Sequence, residues 1–301
     1  MVGIVILNYN SSDMVMKLVR KISSYAHISD IVVIDNCSLS DEYEKIKMVE
    51  NVAPHVHLIC SKDNRGYAAG NNIGLRYLID QRKVENVAIV NPDVVFSDEL
   101  VVAVENMFAS RPQYGMLTGW SLNAEGEPSP HPYWRPSSYF EHVLIVATHG
   151  RWQPAQPYKP VSPIFDVGAI EGCLMFIRSK ALVECGYLDE HTFLFFEEDI
   201  LCSRMRQLGW RIGVLRDISF IHDHHRSTTE ASAFSKMSKI LEESRRYYAR
   251  TILHANTAQI ALLYVLSYWG RLLYYGYQPV KCLMREIQKA LMSIRGGQKD
   301  I

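Results

Sequence analysis

Val2-Gly-Ile-Val-Ile-Leu-Asn-Tyr-Asn-Ser-Ser12 decides the fold. An apolar run over residues 2–7 ends abruptly in polar residues, the pattern of a strand buried on both faces and followed by a loop. Ser12 is a suitable N-cap. Beyond it, Val15, Leu18, Val19 and Ile22 recur at the i, i+3, i+4, i+7 spacing of an amphipathic helix. The alternation continues outward. Ile31–Ile34 reads as a second buried strand ending in Asp35-Asn36, and residues 41–52 as a helix. Val56–Cys60 reads as a strand, Ala68–Ile79 as a helix, and Val87–Val90 as a fourth strand stopped by Asn91-Pro92-Asp93. This βαβαβαβ order predicts an α/β fold with a doubly wound, mostly parallel sheet. Ligands of such sheets lie beyond the carboxyl ends of the strands, so polar residues there are the first site candidates.

The chain has 301 residues, 48% of them apolar and 21% charged, enough for a sizeable core and too ordinary in charge for disorder. Net charge is zero but unevenly spread. Residues 231–301 hold 11 Lys and Arg against 4 Asp and Glu, which leaves 21 against 28 in residues 1–230. An acidic body with a basic tail suggests a carboxylate-bearing site in one part and a polyanionic surface contact in the other. Six cysteines are scattered without paired spacing, which fits reduced thiols in a cytoplasmic protein rather than a zinc knuckle or disulfide framework. The first residues enter a strand pattern with no basic leader, so secretion is not expected.

Past the fourth strand, residues 119–165 carry eight of the twelve prolines and little periodicity. They are expected to form an irregular excursion on the acceptor side of the domain. Regular patterns resume with a strand at Gly172–Ile177, a helix at Glu197–Leu208 and a strand at Arg211–Leu215. A helical, apolar and basic extension follows residue 228.

Four features carry chemistry. The first is the set of strand-end residues Asn8, Asn10, Asp35 and Asp93. Each alone is an ordinary turn or cap residue. Together they line one sheet edge, where Asp35 suits a ribose hydroxyl or base N–H and Asp93 a hard cation facing a diphosphate. The edge lacks GxGxxG after strand one and has no GxxxxGK[ST] loop, which counts against a Rossmann dehydrogenase and a P-loop nucleotidase. The second is Asn64-Arg-Gly-Tyr-Ala-Ala-Gly-Asn-Asn-Ile-Gly74. Its small residues suit either tight helix packing or a helix start close to a diphosphate, with Arg65 facing it. The third is Phe193-Leu-Phe-Phe-Glu-Glu-Asp199, where Glu197, Glu198 and Asp199 open a helix behind an aromatic run. An acidic first turn is common on dipole grounds, but an apolar wall would also raise a carboxyl toward the range of a general base. The fourth is His222-Asp-His-His225, whose clustered histidines suit a cation or phosphate contact but no closed zinc site.

Ile4-Val-Ile-Leu-Asn-Tyr-Asn10, Val33-Ile-Asp-Asn-Cys-Ser38, Asn64-Arg-Gly-Tyr-Ala-Ala-Gly-Asn-Asn72, Asn91-Pro-Asp-Val-Val-Phe96 and Phe196-Glu-Glu-Asp199 resemble the motifs of family 2 glycosyltransferases, in family order over residues 2–228. Within that family they resemble the rhamnosyltransferase-like enzymes of bacterial surface-polysaccharide biosynthesis. The resemblance implies a GT-A catalytic domain over 1–228, with residues 229–301 as a helical tail, and inverting transfer of a sugar from a nucleotide-diphosphate donor to a hydroxyl of a glycan or lipid-linked acceptor. It implies that Asp35 contacts the base and that Asp93 binds Mg²⁺ or Mn²⁺ and the diphosphate. His222 falls where a further metal ligand is common. Asn64, Arg65, Gly66, Asn71 and Asn91 fall on the donor side with Asn8 and Asn10. Glu198 matches the usual base, with Asp199 as the competing choice and Glu197 beside them. Two departures stand out. Asn91 replaces the first acid of the metal motif, and Glu198 is one methylene longer than the usual Asp.

Two rivals are a sugar-phosphate nucleotidyltransferase, which would show a Gly-rich basic loop after strand one, and a non-catalytic nucleotide-sugar or glycan-binding subunit. No nucleic-acid contact is expected.

Thr251–Gly270 lacks formal charge, but its His, Asn, Gln and Thr positions leave too little apolar length for a span of about 20 residues. It is expected either to pack on the catalytic domain or in a homodimer, or to lie on a membrane. In the membrane reading, the protein sits peripherally on the inner face of the cell membrane. Trp269 and the tyrosines then lie at headgroup depth, while Arg245, Arg246, Arg250, Lys281, Arg285 and Lys289 face anionic lipid.

Overall fold

The computed structural model describes residues 1–223 and 231–270. They fall into two compact units, Met1–Pro136 with Gln156–Tyr248, and Ser137–Ala155 with the chain from Ala249 onward.

The first unit begins as the sequence pattern requires. Strand β1 (Val2–Asn8) is followed by α1 (Ser12–Ile22), β2 (Ile28–Asp35), α2 (Ser40–Ile46), β3 (Val56–Cys60), α3 (Tyr67–Arg76) and β4 (Asn86–Val90). β1, β2, β3 and β4 pair in parallel, in the order β3-β2-β1-β4. Alternate side chains of β1 enter opposite layers. Val2, Ile4 and Ile6 join Val15, Leu18, Val19 and Ile22 of α1 in one core, while Val5 joins Ala68 and Leu75 of α3 in the other. That is the doubly wound arrangement. Two helices are shorter than their patterns suggest. α2 stops at Ile46, and a short 3-10 turn at Val49–Asn51 carries Val49 into the core. α3 gives way at Tyr77–Gln81 to a π-helical turn.

The remaining elements of this unit are β5 (Val94–Val95), α4 (Asp98–Ser110), β6 (Tyr114–Leu122) and β7 (Tyr133–Trp134). After the second unit's α5 (Tyr139–Ala147) come β8 (Ile164–Asp166), β9 (Ala169–Ile170), β10 (Leu174–Arg178), α6 (Ser179–Glu184), α7 (Glu197–Gln207), β11 (Arg211–His222) and α8 (Ala231–Thr251). β10 runs antiparallel between β4 and β6, and β11 lies parallel to β6. Among the described residues the sheet has nine strands, ordered β3-β2-β1-β4-β10-β6-β11-β5 with β8 on β11. β11 is the main departure from expectation. The strand anticipated at Arg211–Leu215 continues to His222, with a register shift between Val214 and Ser219. Its far end pairs with β5, His222 opposite Val94 and Ile221 opposite Val95. The extra length carries His222 to the loop after β4.

The 119–165 stretch, expected to be irregular, contains the end of β6, β7, β8's first residues and a full helix, α5. Almost every residue of α5 is apolar or aromatic, so it shows no helical period to read. Its N-terminus is closed by a capping box in which Ser138 and Glu141 exchange hydrogen bonds. Within the second unit, Tyr139 and Val146 pack with Ala249, Ala255 and Leu263, and residues 257–270 are helical. Among the described residues no helix is long and apolar enough to cross a membrane. His224, His225, Lys281, Arg285 and Lys289 lie outside the described residues.

Candidate active site

At the ends of β1 and β2, Asn8 and Asp35 face each other in register and are both buried. Asn8 Nδ2 donates to Asp35 Oδ1 at 2.8 Å, and the Ser38 amide donates to Asp35 Oδ2 at 3.2 Å. Asn8 Oδ1 accepts from the amide and hydroxyl of Ser11, and so braces the start of α1. Asn10 has a left-handed backbone (φ 53°) and bonds across to Ser38 and Leu39. Asn8, Asn10 and Asp35 therefore form one hydrogen-bonded knot.

The start of α3 links this knot to the neighbouring strand end. Asn36 Nδ2 donates to Asn64 Oδ1 (3.0 Å) and to the Gly66 carbonyl (3.3 Å). Gly66 has φ 97°, and a Cβ there would stand 2.2 Å from the Phe193 carbonyl oxygen. Cβ atoms at Gly70 and Gly74 would meet Leu7 and Val5 at 2.4 and 2.7 Å. The small residues of this motif thus serve close packing of α3 on β1 and on the segment before α7. Asn71 is fully buried and donates to the Tyr67 carbonyl, one turn back. Arg65 is exposed and pairs with Glu190 at 3.4 Å. It borders an open cleft of about 300 Å³ with Lys62 and Arg76, beyond β3 and away from Asp93.

Tyr67 is the bridge to the second cluster. Its hydroxyl lies 3.2 Å from Asn91 Oδ1 and 2.8 Å from the Gly172 carbonyl. Burial, then the nearby Glu197 and Glu198, push its pKa well above the phenol range. Past Asn91, Asp93 Oδ2 stands 3.4 Å from His222 Nε2, and the Asp223 amide donates to the Asp93 carbonyl at 3.0 Å. On the opposite side of the same ring, His222 Nδ1 is 3.1 Å from Glu171 Oε1. Burial opposes charge on His222, but contacts with Asp93, Cys173 and Glu171 outweigh it and push the imidazole up to about 12. Cys173, against the same ring, is itself pushed up to about 12, chiefly by burial.

The acids Glu197, Glu198 and Asp199 occupy the first turn of α7, behind two successive aromatic residues in left-handed conformation, Phe195 (φ 74°) and Phe196 (φ 70°). Such backbone is unfavourable for bulky side chains and persists where the surroundings enforce it. Here it turns the chain from the Phe193 contact straight into α7. Glu197 is 2% exposed, its Oε1 has no hydrogen-bond partner, and burial followed by the Asp199 charge raises it to about 7. Asp199 accepts from Trp134 Nε1 at 2.7 Å and is raised by burial to about 6. Glu198 is raised well above the carboxylate range, first by burial, then by Asp199 and Glu197, with Glu171 adding to it. A Cβ at Gly172 would lie 3.7 Å from the Glu198 carboxyl. Asn91, Asp93 and His222 therefore stand together between β4, β10 and β11, with Tyr67, Glu171 and Gly172 linking them to Glu197 and Glu198, while Asp199 turns to Trp134.

A divalent cation fits this set. Asp93 Oδ1 is buried without a hydrogen-bond partner, and Asp93 Oδ2 faces an imidazole nitrogen. Buried carboxylate oxygens without donors are rare in native structures unless an ion or ligand meets them. Ligand atoms of Glu171, Cys173 and His222 also lie within 4.8 Å of one another.

The sequence model of the family described as "Glycosyltransferase like family 2" matches residues 1–246. The chain belongs to that family. The low-salt glycan biosynthesis hexosyltransferase Agl10 of Haloferax volcanii is 29% identical to this family 2 member over 225 residues. The match covers 73% of this chain and 66% of that protein, so it spans just under two thirds of the relative's length. Two solved structures share the fold. The mannosyltransferase PcManGT from Pyrobaculum calidifontis in complex with GDP-Man and Mn²⁺ has a TM-score of 0.53 at 15% identity, covering 89% of this chain and 69% of that one. S. aureus TarS 1–349 in complex with UDP-GlcNAc has a TM-score of 0.51 at 14% identity, covering 87% and 70%. The fold is the GT-A-like sheet that the strand order implies.

Sequence reasoning did not single out Tyr67, Glu171 or Cys173. Tyr67 sits within the Asn64–Gly74 motif, where its place at the first turn of α3 was the available signal. Glu171 and Cys173 lie between β9 and β10 in no recognisable pattern. Arg245, expected at a lipid surface, is instead 7% exposed and stands 6.0 Å from the Phe196 ring centroid.

Proposed function

We propose that this family 2 member is an inverting glycosyltransferase that moves a sugar from a nucleotide-diphosphate donor to a hydroxyl of a glycan or lipid-linked acceptor. Surface-polysaccharide synthesis is the setting that fits, with rhamnose as one candidate sugar. One observation carries the reading: Asp93 and His222 stand within one contact chain of Glu198, through Glu171 and Gly172. In this reading a cation-and-diphosphate position and a proton acceptor share that site. The GDP-Man and Mn²⁺ of PcManGT and the UDP-GlcNAc of TarS, as fold neighbours, support the choice of donor class and ion.

In this reading Asp35 meets the nucleotide base or ribose, held in place by Asn8 and Ser38. Asp93 and His222 hold Mg²⁺ or Mn²⁺. Such an ion offsets the charge that builds on a departing diphosphate. Glu198 takes the proton from the acceptor hydroxyl as its oxygen attacks the anomeric carbon and the bond to the diphosphate breaks. Its raised proton affinity suits that role. Asp199, tied to Trp134, fixes the start of α7. The decisive experiment is a thermal-shift panel of UDP-, GDP- and dTDP-sugars with and without Mn²⁺. Selective, Mn²⁺-dependent stabilisation by one donor names it through linkage. No stabilisation by any nucleotide sugar would sink the reading.

We further propose a peripheral contact with anionic lipid through the second unit. Phe140 (73% exposed), Leu144, Leu262, Val265 and Trp269 (59%) all leave apolar surface outside that unit's own core. Residues 271–301 add six Lys and Arg against two acids. Apolar and aromatic side chains beside a basic segment are the composition of an interfacial anchor. Flotation with phosphatidylglycerol vesicles at low salt tests it. Equal recovery with neutral vesicles, or none with either, rejects it.

A further inference from the structure

We infer that Glu171 is a positioning residue for the cation site: it holds the His222 ring so that Nε2 is presented to the ion at Asp93. The inference rests on the proposed placement of that ion at Asp93 and His222.

His222 is 4% exposed and lies between two carboxylates that approach opposite ring nitrogens. Asp93 Oδ2 is 3.4 Å from Nε2, and Glu171 Oε1 is 3.1 Å from Nδ1. The oxygen of Asp93 left without a partner is on the Nε2 side of this arrangement, which is where a cation completes the set. Glu171 therefore faces the nitrogen that the ion does not use. A carboxylate on the distal nitrogen of a ligating imidazole fixes its tautomer and orientation and makes the ligating nitrogen more basic. The backbone supports that division of labour. His222 is pinned by the β5–β11 pairing opposite Val94, next to Asp93. Glu171 comes from the separate segment after β9, where its amide donates to the Pro132 carbonyl at 3.2 Å. The carboxylate of Glu171 is thus delivered by a different part of the fold from the ligand it orients. The Glu171 charge also adds to the raised proton affinity of Glu198.

The test uses the full-length protein and Mn²⁺, followed by the loss of the free-ion electron paramagnetic resonance signal, alone and with UDP or GDP present. Circular dichroism and melting temperature check folding. Glu171→Ala is expected to weaken Mn²⁺ binding about 10- to 100-fold, the usual cost of removing an outer carboxylate. Glu171→Gln, whose carbonyl oxygen still accepts from Nδ1–H, is expected to recover much of the loss, and serves if the alanine variant does not fold. In a His222→Ala background, Glu171→Ala is expected to cost nothing further, since there is no ring left to orient. An equal loss in both backgrounds overturns the inference, because Glu171 would then bind the ion directly. So does a Co²⁺ complex with a thiolate charge-transfer band that Cys173→Ser abolishes, because the ion would then be held by Glu171, Cys173 and His222 rather than at Asp93. If Asp93→Ala and His222→Ala both leave Mn²⁺ binding unchanged, the parent reading of the cation site fails, which is a different result from a silent Glu171.

Discussion

Asp35 at the end of β2 and Asp93 after β4 flank the same central strand, β1, yet their surroundings differ in kind. Both oxygens of Asp35 accept hydrogen bonds, from Asn8 and from the Ser38 amide, and Asn8 is itself saturated by Ser11. Around Asp93 the balance is reversed. Asp93 Oδ1 and Glu197 Oε1 are buried without partners, and Glu171, Glu197, Glu198 and Asp199 crowd together with few donors among them. Folding alone has little use for such crowding, because burying a carboxylate without donors or cations is costly. The comparison separates a carboxylate that the fold has provided for from a group that calls for a proton, a metal ion or a substrate to complete it.

The largest effect is expected at the incomplete end. Glu198→Gln keeps the shape of the side chain and removes its capacity to take a proton, so turnover should fall by about 10²–10⁴-fold. Donor affinity, measured by calorimetry with Mn²⁺ present, should stay within a few-fold of the wild-type value. Near-normal turnover would return the base assignment to Glu197 or Asp199. Next in size, Asp93→Ala should reduce Mn²⁺-dependent donor affinity by at least about 100-fold, more than the loss of an outer-sphere partner. Affinity for the same donor without metal should hardly change. An equal loss with and without Mn²⁺ would show that Asp93 acts on the nucleotide itself.

The saturated end should respond through stability instead. Asn8→Ala strips Asp35 of its 2.8 Å donor and leaves the Ser11 amide without its acceptor. The expected cost is about 1–3 kcal/mol, read as a lower urea midpoint at unchanged slope. Gly66→Ala should cost a similar amount, because its φ of 97° disfavours any side chain and the Phe193 carbonyl stands where the Cβ would be. It should also depress turnover, since Phe193 leads directly into the strained turn ahead of Glu198, whereas Asn8→Ala, by freeing Asp35, should show in donor affinity.

Much of the sheet was legible from β1 outward, because parallel strands buried on both faces announce themselves as short apolar runs with polar stops. Asp93 and the acids of α7 were legible as candidates for the same reason: they stand where such strands or aromatic runs end. What joins them was not. β10 enters antiparallel between β4 and β6, and no local pattern distinguishes that from a parallel insertion. The continuation of β11 to His222 depends on its pairing with β5, where His222 lies opposite Val94, 128 residues away in sequence. Glu171 and Tyr67 matter through partners 24 or more residues away, and pairings of that range leave no trace in composition. α5 was hidden for the opposite reason, since a helix apolar on nearly every side has no period.

The smallest effect tests whether crowding at the incomplete end is real. Glu197 is raised in the folded protein to about 7, against an ordinary carboxyl value of 4.5. The folded state therefore holds a proton at Glu197 that the unfolded chain has already released between those two values. Where the native state binds more protons, stability falls as pH rises. The contribution is intact below about pH 4.5, declines through the window up to about 7, and is flat above it. Glu197→Gln mimics the protonated side chain and removes that slope. Its melting temperature should exceed the wild type's by about 2–6 °C at pH 8 and match it near pH 4.5. Because Glu197, Glu198 and Asp199 are successive acids, the window belongs to the group as a whole. If the variant and the wild type show parallel melting curves from pH 4.5 to 8, Glu197 is solvated in solution and the contrast with Asp35 loses its physical basis.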